Sequence, residues 1–216
     1  MIASDRATAL ALVPVSRETE ERFAIYADLL VRWQKAVNLV APSTLPHLWV
    51  RHIADSAQLL ALVPDARTFV DLGSGSGCPG LIIALQLAET PDAMVDLVES
   101  DQRKCAFLRA VIRETGAKAR VRMGRIEEVL PDLGSIPEVV TARALAPIGK
   151  LLDYTENLLL KGSIGVFPKG REAQSELTAA RPSPRLRFDW VPSRTDPSAR
   201  IALVRAASGT MAGNDP

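Results

Sequence analysis

Apolar residues along this chain change their spacing once, near residue 65. Before that point Phe23, Tyr26, Ala27, Leu30 and Trp33 recur three and four apart, and Ile53, Ala57 and Leu60 repeat the spacing, which predicts amphipathic helices. Pro42 and Pro46 interrupt them, and Pro64 with Asp65 marks a junction. From Thr68 onward, apolar runs at 69–72, 94–98, 121–123, 139–141 and 164–167 alternate with helical patterns at 81–89, 103–115, 126–130 and 148–160. Alternation of this kind predicts an α/β fold with a doubly wound, mostly parallel sheet and ligands at the C-terminal ends of its strands. Two further runs, 186–191 and 201–204, are joined by a Pro-containing loop and bring the expected strands to seven. The expected organisation is a helical N-terminal extension over 1–64, the α/β domain over 65–206 and a flexible tail over 207–216.

The first strand runs straight into F-V-D-L-G-S-G-S-G-C-P-G-L. Gly73, Gly75 and Gly77 permit positive φ and present bare backbone, so a ligand can lie against the turn while the next helix offers free N–H groups. Pro79 suits the first turn of that helix. A plain turn would not need three alternating glycines, which cost conformational entropy.

Gly75, Gly77 and Gly80 also spell G-x-G-x-x-G, a weak match to a dinucleotide site. Asp71 discriminates between ligands. A carboxylate beside the turn would repel a pyrophosphate and attract the ammonium of a methionine moiety next to a sulfonium. Glu99, which closes the second strand, can accept two hydrogen bonds from ribose hydroxyls in either case. Asp71 therefore favours S-adenosylmethionine (SAM) over NAD.

Composition narrows the classes further. No run approaches 18 uninterrupted apolar residues, and the first residues lack the basic-then-apolar order of a signal peptide, so a cytoplasmic protein with no membrane partner is expected. Cys78 and Cys105 lack metal-ligand spacing and read as free thiols, with no metal expected. The net charge of +1 would argue against nucleic acid if it were evenly spread. It is not, because residues 101–125 carry eight Arg and Lys against Asp101 and Glu114, a local balance of +6. A solvated helix face accounts for some of these charges, and the remainder can form a phosphate-binding stripe, with Arg109, Arg113 and Arg125 as its candidates.

The turn D-L-G-S-G-S-G-C-P-G, followed by L-V-E-S-D-Q-R-K-C-A-F-L, G-R-I-E-E, V-V-T-A-R-A-L-A and F-P-K-G, resembles the bacterial guanine-N7 methyltransferase family of small-subunit ribosomal RNA, also called RsmG or GidB. Upstream, W-Q-K-A-V-N-L-V and R-H-I-A-D-S are similar to that family's N-terminal helical signature, so the likeness runs from Tyr26 to Gly170. The resemblance implies a Rossmann-like SAM methyltransferase sheet with an antiparallel strand near its end. It also implies methylation of a guanine N7 in 16S ribosomal RNA near the decoding centre, with the small ribosomal subunit or its RNA as partner. A monomer is expected. Carried over residue by residue, it implies cofactor contacts at Gly73, Cys78, Ile126 and Glu127, and a cofactor and reaction role for Arg143. Cys78 stands where the family usually has a larger apolar residue. A scaffold role is implied for Arg51, His52, Asp55 and Ser56.

The chemistry of the residues fits that expectation. Guanine N7 has an in-plane lone pair and no hydrogen, so methyl transfer to it needs approach geometry and no general base. Only His47 and His52 are present, and neither has a recognisable nucleophile partner. The stretch V-V-T-A-R-A lacks the [DNS]-P-P-[YF] element of enzymes that methylate exocyclic amines, and neither cysteine is placed as a nucleophile. Arg143 can hydrogen-bond guanine O6, with a structural ion pair as the competing reading. Lys169 is read as a phosphate contact in the same crevice, or else as solvent-exposed. The rival functions are a SAM methyltransferase acting on a protein or small molecule, and a non-catalytic RNA-binding assembly factor that keeps the pocket.

Overall fold

The computed structural model describes residues 2–180 and 182–207, so most of the expected tail lies outside the described residues. Seven strands form one sheet: β1 (Thr68–Leu72), β2 (Met94–Glu99), β3 (Ala119–Met123), β4 (Val139–Thr141), β5 (Ile164–Lys169), β6 (Leu186–Pro192) and β7 (Arg200–Ala206). Their order is β3-β2-β1-β4-β5-β7-β6. The first five are parallel, and β7 runs antiparallel between β5 and β6. The chain winds outward from β1 to β3, then returns to β4 beside β1. The crevice at that reversal, above the ends of β1 and β4, is where such sheets bind ligands.

Alternate residues of the central strands feed two cores. Phe69, Val95, Leu97 and Val139 pack with helices α2 (Arg17–Trp33), α4 (Gly80–Gln86) and α5 (Gln102–Thr115). Val70, Leu72, Val98 and Val140 pack on the other face with α7 (Ile148–Leu160). The remaining helices are α1 (Ile2–Leu12), α3 (Asp55–Ala57), α6 (Ile126–Val129) and α8 (Ala173–Ala180). Local signals set their ends: Ser16 caps α2 by accepting from Thr19 N–H, Asp101 caps α5 by accepting from Arg103 and Lys104 N–H, and Gly116 closes α5 at φ +66°.

The N-terminal helices share the first core with the sheet: Phe23, Tyr26, Leu30 and Ile53 lie in the same apolar cluster as Phe69, Leu81 and Phe107. Phe107 is bracketed by Tyr26 and Trp33 at ring-centroid distances of 6.2 and 5.9 Å. The Tyr26 hydroxyl donates to the Ser76 carbonyl at 2.9 Å, so the extension grips the glycine turn directly. Two details depart from the pattern read along the chain. Residues Pro42–His47 are a 3-10 helix that starts at the proline expected to interrupt a helix, because proline lacks only an N–H that a first turn leaves unused. Residues Trp49–Ala54 form a π-helix, with Asp55 N–H reaching back to the Val50 carbonyl, a widening frequent at functional sites.

Candidate functional site

Two cavities open at the C-terminal edge of the sheet. The first, about 670 Å3, is walled by Gly73, Gly75, Glu99, Ile126, Glu127 and Tyr154. The second, about 620 Å3, is walled by Arg51, His52, Asp55 and Arg143 on one side and by Lys169, Glu176, Thr195 and Asp196 on the other. Ala144 and Leu145 line both. This shared wall is the segment after β4. Ala144 sits at φ +53°, a left-handed conformation that costs an alanine on the order of 1–3 kcal/mol and tends to persist where function requires it.

Part of the first cavity's wall is bare backbone. Gly73 and Gly75 have φ of +65° and +55°, and a Cβ at Gly73 would lie 2.6 Å from Leu145 Cδ1. Glu99 holds the turn in place: its Oε2 accepts from Gly75 N–H and its Oε1 from Asp101 N–H, both at 2.8 Å. Each oxygen keeps a second lone pair, so a diol can still be accepted by a carboxylate that is already fixed. Ile126 and Glu127 start α6 at the opposite wall.

Asp71 lies beneath this turn, fully buried, and does not line the cavity. Thr141 Oγ1 donates to its Oδ1 at 2.7 Å, while Oδ2 has no hydrogen-bond partner among the described residues. Burial pushes its pKa up to about 6, with Thr141, Ser74 and Gly80 pulling the other way. Gly80 belongs to this packing: a Cβ there would come within 2.4 Å of Asp71 Cβ, so the last glycine of G-x-G-x-x-G serves helix-on-strand contact.

The second cavity is built jointly by the extension and the sheet. Arg143 donates through NH1 to the Arg51 carbonyl (2.9 Å) and to Asp55 Oδ2 (3.1 Å), and through NH2 to His52 Nδ1 (2.9 Å). Asp55 Oδ1 in turn accepts from Thr195 Oγ1 at 2.6 Å and from Gln58, which ties the wall to the loop between β6 and β7. Burial, then the charges of Arg143 and Arg51, push His52 down to a pKa of about 4.

The profile of the family described as rRNA small subunit methyltransferase G matches residues 19–188. The ribosomal RNA small subunit methyltransferase G of Methylobacterium nodulans is 54% identical over 98% of this chain and 100% of its own length. That of Bradyrhizobium sp. (strain BTAi1) is 53% identical over 82% of this chain and 80% of its own. The chain belongs to the rRNA small subunit methyltransferase G family. Among solved structures, the O-methyltransferase TomG of Streptomyces achromogenes, in complex with SAM, superposes with a TM-score of 0.60 at 15% identity, covering 94% of this chain and 96% of its own. An O-methyltransferase of Bacillus cereus, in complex with SAH, gives 0.57 at 16% identity over 95% and 100%. At such identities these two speak for the Rossmann-like methyltransferase fold.

For this methyltransferase G family member, the structure gathers Gly73, Gly75, Glu99, Ile126 and Glu127 around one cavity and puts Arg125 on its rim. Other expected positions fall elsewhere. Gly77 faces Leu81 and Leu108, and the Cys78 thiol is buried 3.2 Å from the Tyr26 hydroxyl and close to the His52 carbonyl, so its side chain packs the extension and not the first cavity. Arg143 lines the second cavity and not the first; the ion pair of the competing reading exists, with Asp55, and it holds the arginine at the cavity wall.

Lys169 lines the second cavity, in the expected crevice. Its side chain is largely covered, and its Nζ donates at 2.8 Å to both Glu176 Oε2 and the Ala146 carbonyl, so two of its three donors and most of its charge are already partnered. The basic stripe also loses members: Arg120 and Arg122, on edge strand β3, both bind Asp96 on β2, at 2.8 Å for Arg122. Arg109 and Arg113 remain exposed on α5, with Arg113 beside Glu114. Glu176 and the loop residues Thr195 and Asp196 carried no signal in the sequence, since their place in the wall depends on β5, β6 and β7 pairing out of sequence order.

Among the described residues no group of His, Cys, Asp or Glu could hold a metal ion, and no helix is long and apolar enough to cross a membrane.

Proposed function

We propose that this chain methylates N7 of a guanine in 16S ribosomal RNA near the decoding centre, with SAM as donor. The single observation that carries the reading is the pair of cavities that share the Ala144–Leu145 wall: one has a bare glycine backbone and a fixed carboxylate, the other a clamped arginine. The first cavity suits SAM in three respects. Glycine conformations leave room against the backbone, Glu99 retains lone pairs for ribose hydroxyls, and the unpartnered Asp71 Oδ2 supplies negative charge below the turn for a cationic methionine end. Ile126 and Glu127 would hold the adenine through a backbone N–H and a carboxylate.

Bound SAM supplies an electrophilic methyl group on a sulfonium. The chain's residues supply position and exclude water. Arg143 donates to guanine O6 and holds the base with N7 toward the Ala144–Leu145 wall. N7 needs no deprotonation, and His52 could not provide it, since its Nδ1 is occupied by Arg143 and its Nε2 by Thr44. The exposed Arg109 and Arg113, with Arg125 at the rim, bind flanking phosphates, so the RNA is captured by shape and charge and the base is presented from a loop. The protein acts as a cytoplasmic monomer, with residues 1–64 as an extension that completes the acceptor cavity.

Mass mapping of 16S ribosomal RNA from cells with and without the protein tests the reading. Loss of one N7-methylguanine, restored by the wild type and not by Glu99→Ala, is the expected result. An unchanged methylation map in the deletion strain would overturn it.

A further inference from the structure

Arg143 is held by three groups of the extension, and one of them is an imidazole whose proton can be located. Thr44 Oγ1 gives its only proton to the Ala41 carbonyl at 2.7 Å, so towards His52 Nε2, 2.8 Å away, it can only accept. Nε2 therefore carries the proton. Independently, a guanidinium can only donate, so His52 Nδ1, 2.9 Å from Arg143 NH2, must be bare. The two constraints come from opposite edges of the ring and give the same neutral tautomer. Burial and the adjacent Arg143 and Arg51 keep it neutral well below physiological pH.

We propose that His52 is a positioning residue for methyl transfer: its bare Nδ1 anchors the NH2 corner of the Arg143 guanidinium, and through it the methyl-accepting base. The inference rests on the reading of the second cavity as the guanine site. Arg51 O and Asp55 Oδ2 both take hydrogens from NH1, which anchors one corner of the fork. The bond from NH2 to His52 secures a second corner. Of the five donors of an arginine, three are then used, leaving Nε–H and one NH2 proton for an acceptor in the cavity while guanine N7 stays free to react. A neutral acceptor suits this role. A second carboxylate is not needed beside Asp55, and an imidazolium would repel the arginine.

The test is single-turnover methyl transfer at saturating SAM and small ribosomal subunits, for His52→Ala, His52→Asn, Arg143→Ala and the His52→Ala/Arg143→Ala double variant. His52→Ala should slow the step on the order of 10- to 100-fold through misplacement of the base, with SAM affinity unchanged. His52→Asn, whose side-chain oxygen can take the place of Nδ1, should recover most of the rate. The double variant should be no slower than Arg143→Ala, because the histidine acts through the arginine. Equal losses in the Ala and Asn variants, or multiplying losses in the double variant, would overturn the proposal. In 15N spectra at neutral pH, His52 should show a protonated Nε2 and a bare Nδ1; the opposite tautomer would overturn it without reference to turnover. Full activity in Arg143→Ala would sink the reading of the cavity, whereas a slow Arg143→Ala beside a normal His52→Ala would sink this inference alone.

Discussion

Asp71→Asn should make the cofactor-free protein more stable and the cofactor-bound protein weaker, and both effects can be sized from the burial of one carboxylate. Asp71 is fully buried, and its pKa is raised from 3.8 to about 6, first by burial. Raising the pKa from 3.8 to about 6 corresponds to about 3 kcal/mol. The sign follows from proton binding. Below about pH 3.8 the side chain is protonated in both folded and unfolded chains and costs nothing; between 3.8 and 6 only the folded chain keeps its proton, so stability falls as pH rises; above about pH 6 the full penalty is present. An asparagine has no charge to bury, can accept with its oxygen near Gly80 and can donate its amide to Thr141 Oγ1. Allowing about 1 kcal/mol for imperfect hydrogen bonds, the variant should gain about 2 kcal/mol at pH 7.5 and almost nothing at pH 4. Urea unfolding of both proteins across that range measures it. Calorimetry should show SAM binding weakened about 5- to 150-fold, the loss of roughly 1–3 kcal/mol of charge-assisted interaction. A stability difference that does not change with pH would refute the argument from burial, and unchanged SAM affinity would refute the role of the charge.

Replacing Arg109 and Arg113 together with alanine should weaken RNA binding and lower the salt slope by roughly one unit per lost phosphate contact, with SAM affinity unaffected; a constant slope in filter binding across salt concentrations would remove α5 from the interface. Lys169→Met should behave in the opposite way, because Lys169 is committed to Glu176 and Ala146: thermal unfolding should register a loss of roughly 1–3 kcal/mol, while the salt slope for RNA stays at its wild-type value.

What the sequence determined by itself is local. Apolar runs of strand length separated by helical periods specify the alternating elements, since side-chain direction repeats every two residues in a strand and every 3.6 in a helix. Three glycines after the first strand, with Asp71 and Glu99 near the ends of successive strands, mark the turn proposed to hold the cofactor, because only glycine takes those φ values without penalty. Charged side chains were legible only as charges. Their partners depend on how elements pack: Arg143 meets His52 and Asp55 about ninety residues away, Arg120 meets Asp96 across a strand pair, and Lys169 finds Glu176 on the next helix. Whether an arginine is a free phosphate ligand or half of an ion pair depends on which strands lie side by side, and that order, β3-β2-β1-β4-β5-β7-β6, is set by burial of both sheet faces at once. The same holds for the extension. Its spacing predicts helices, but only packing against α4 and α5 turns R-H-I-A-D-S into one wall of the second cavity, because a helix acquires a functional face only from what it is packed against.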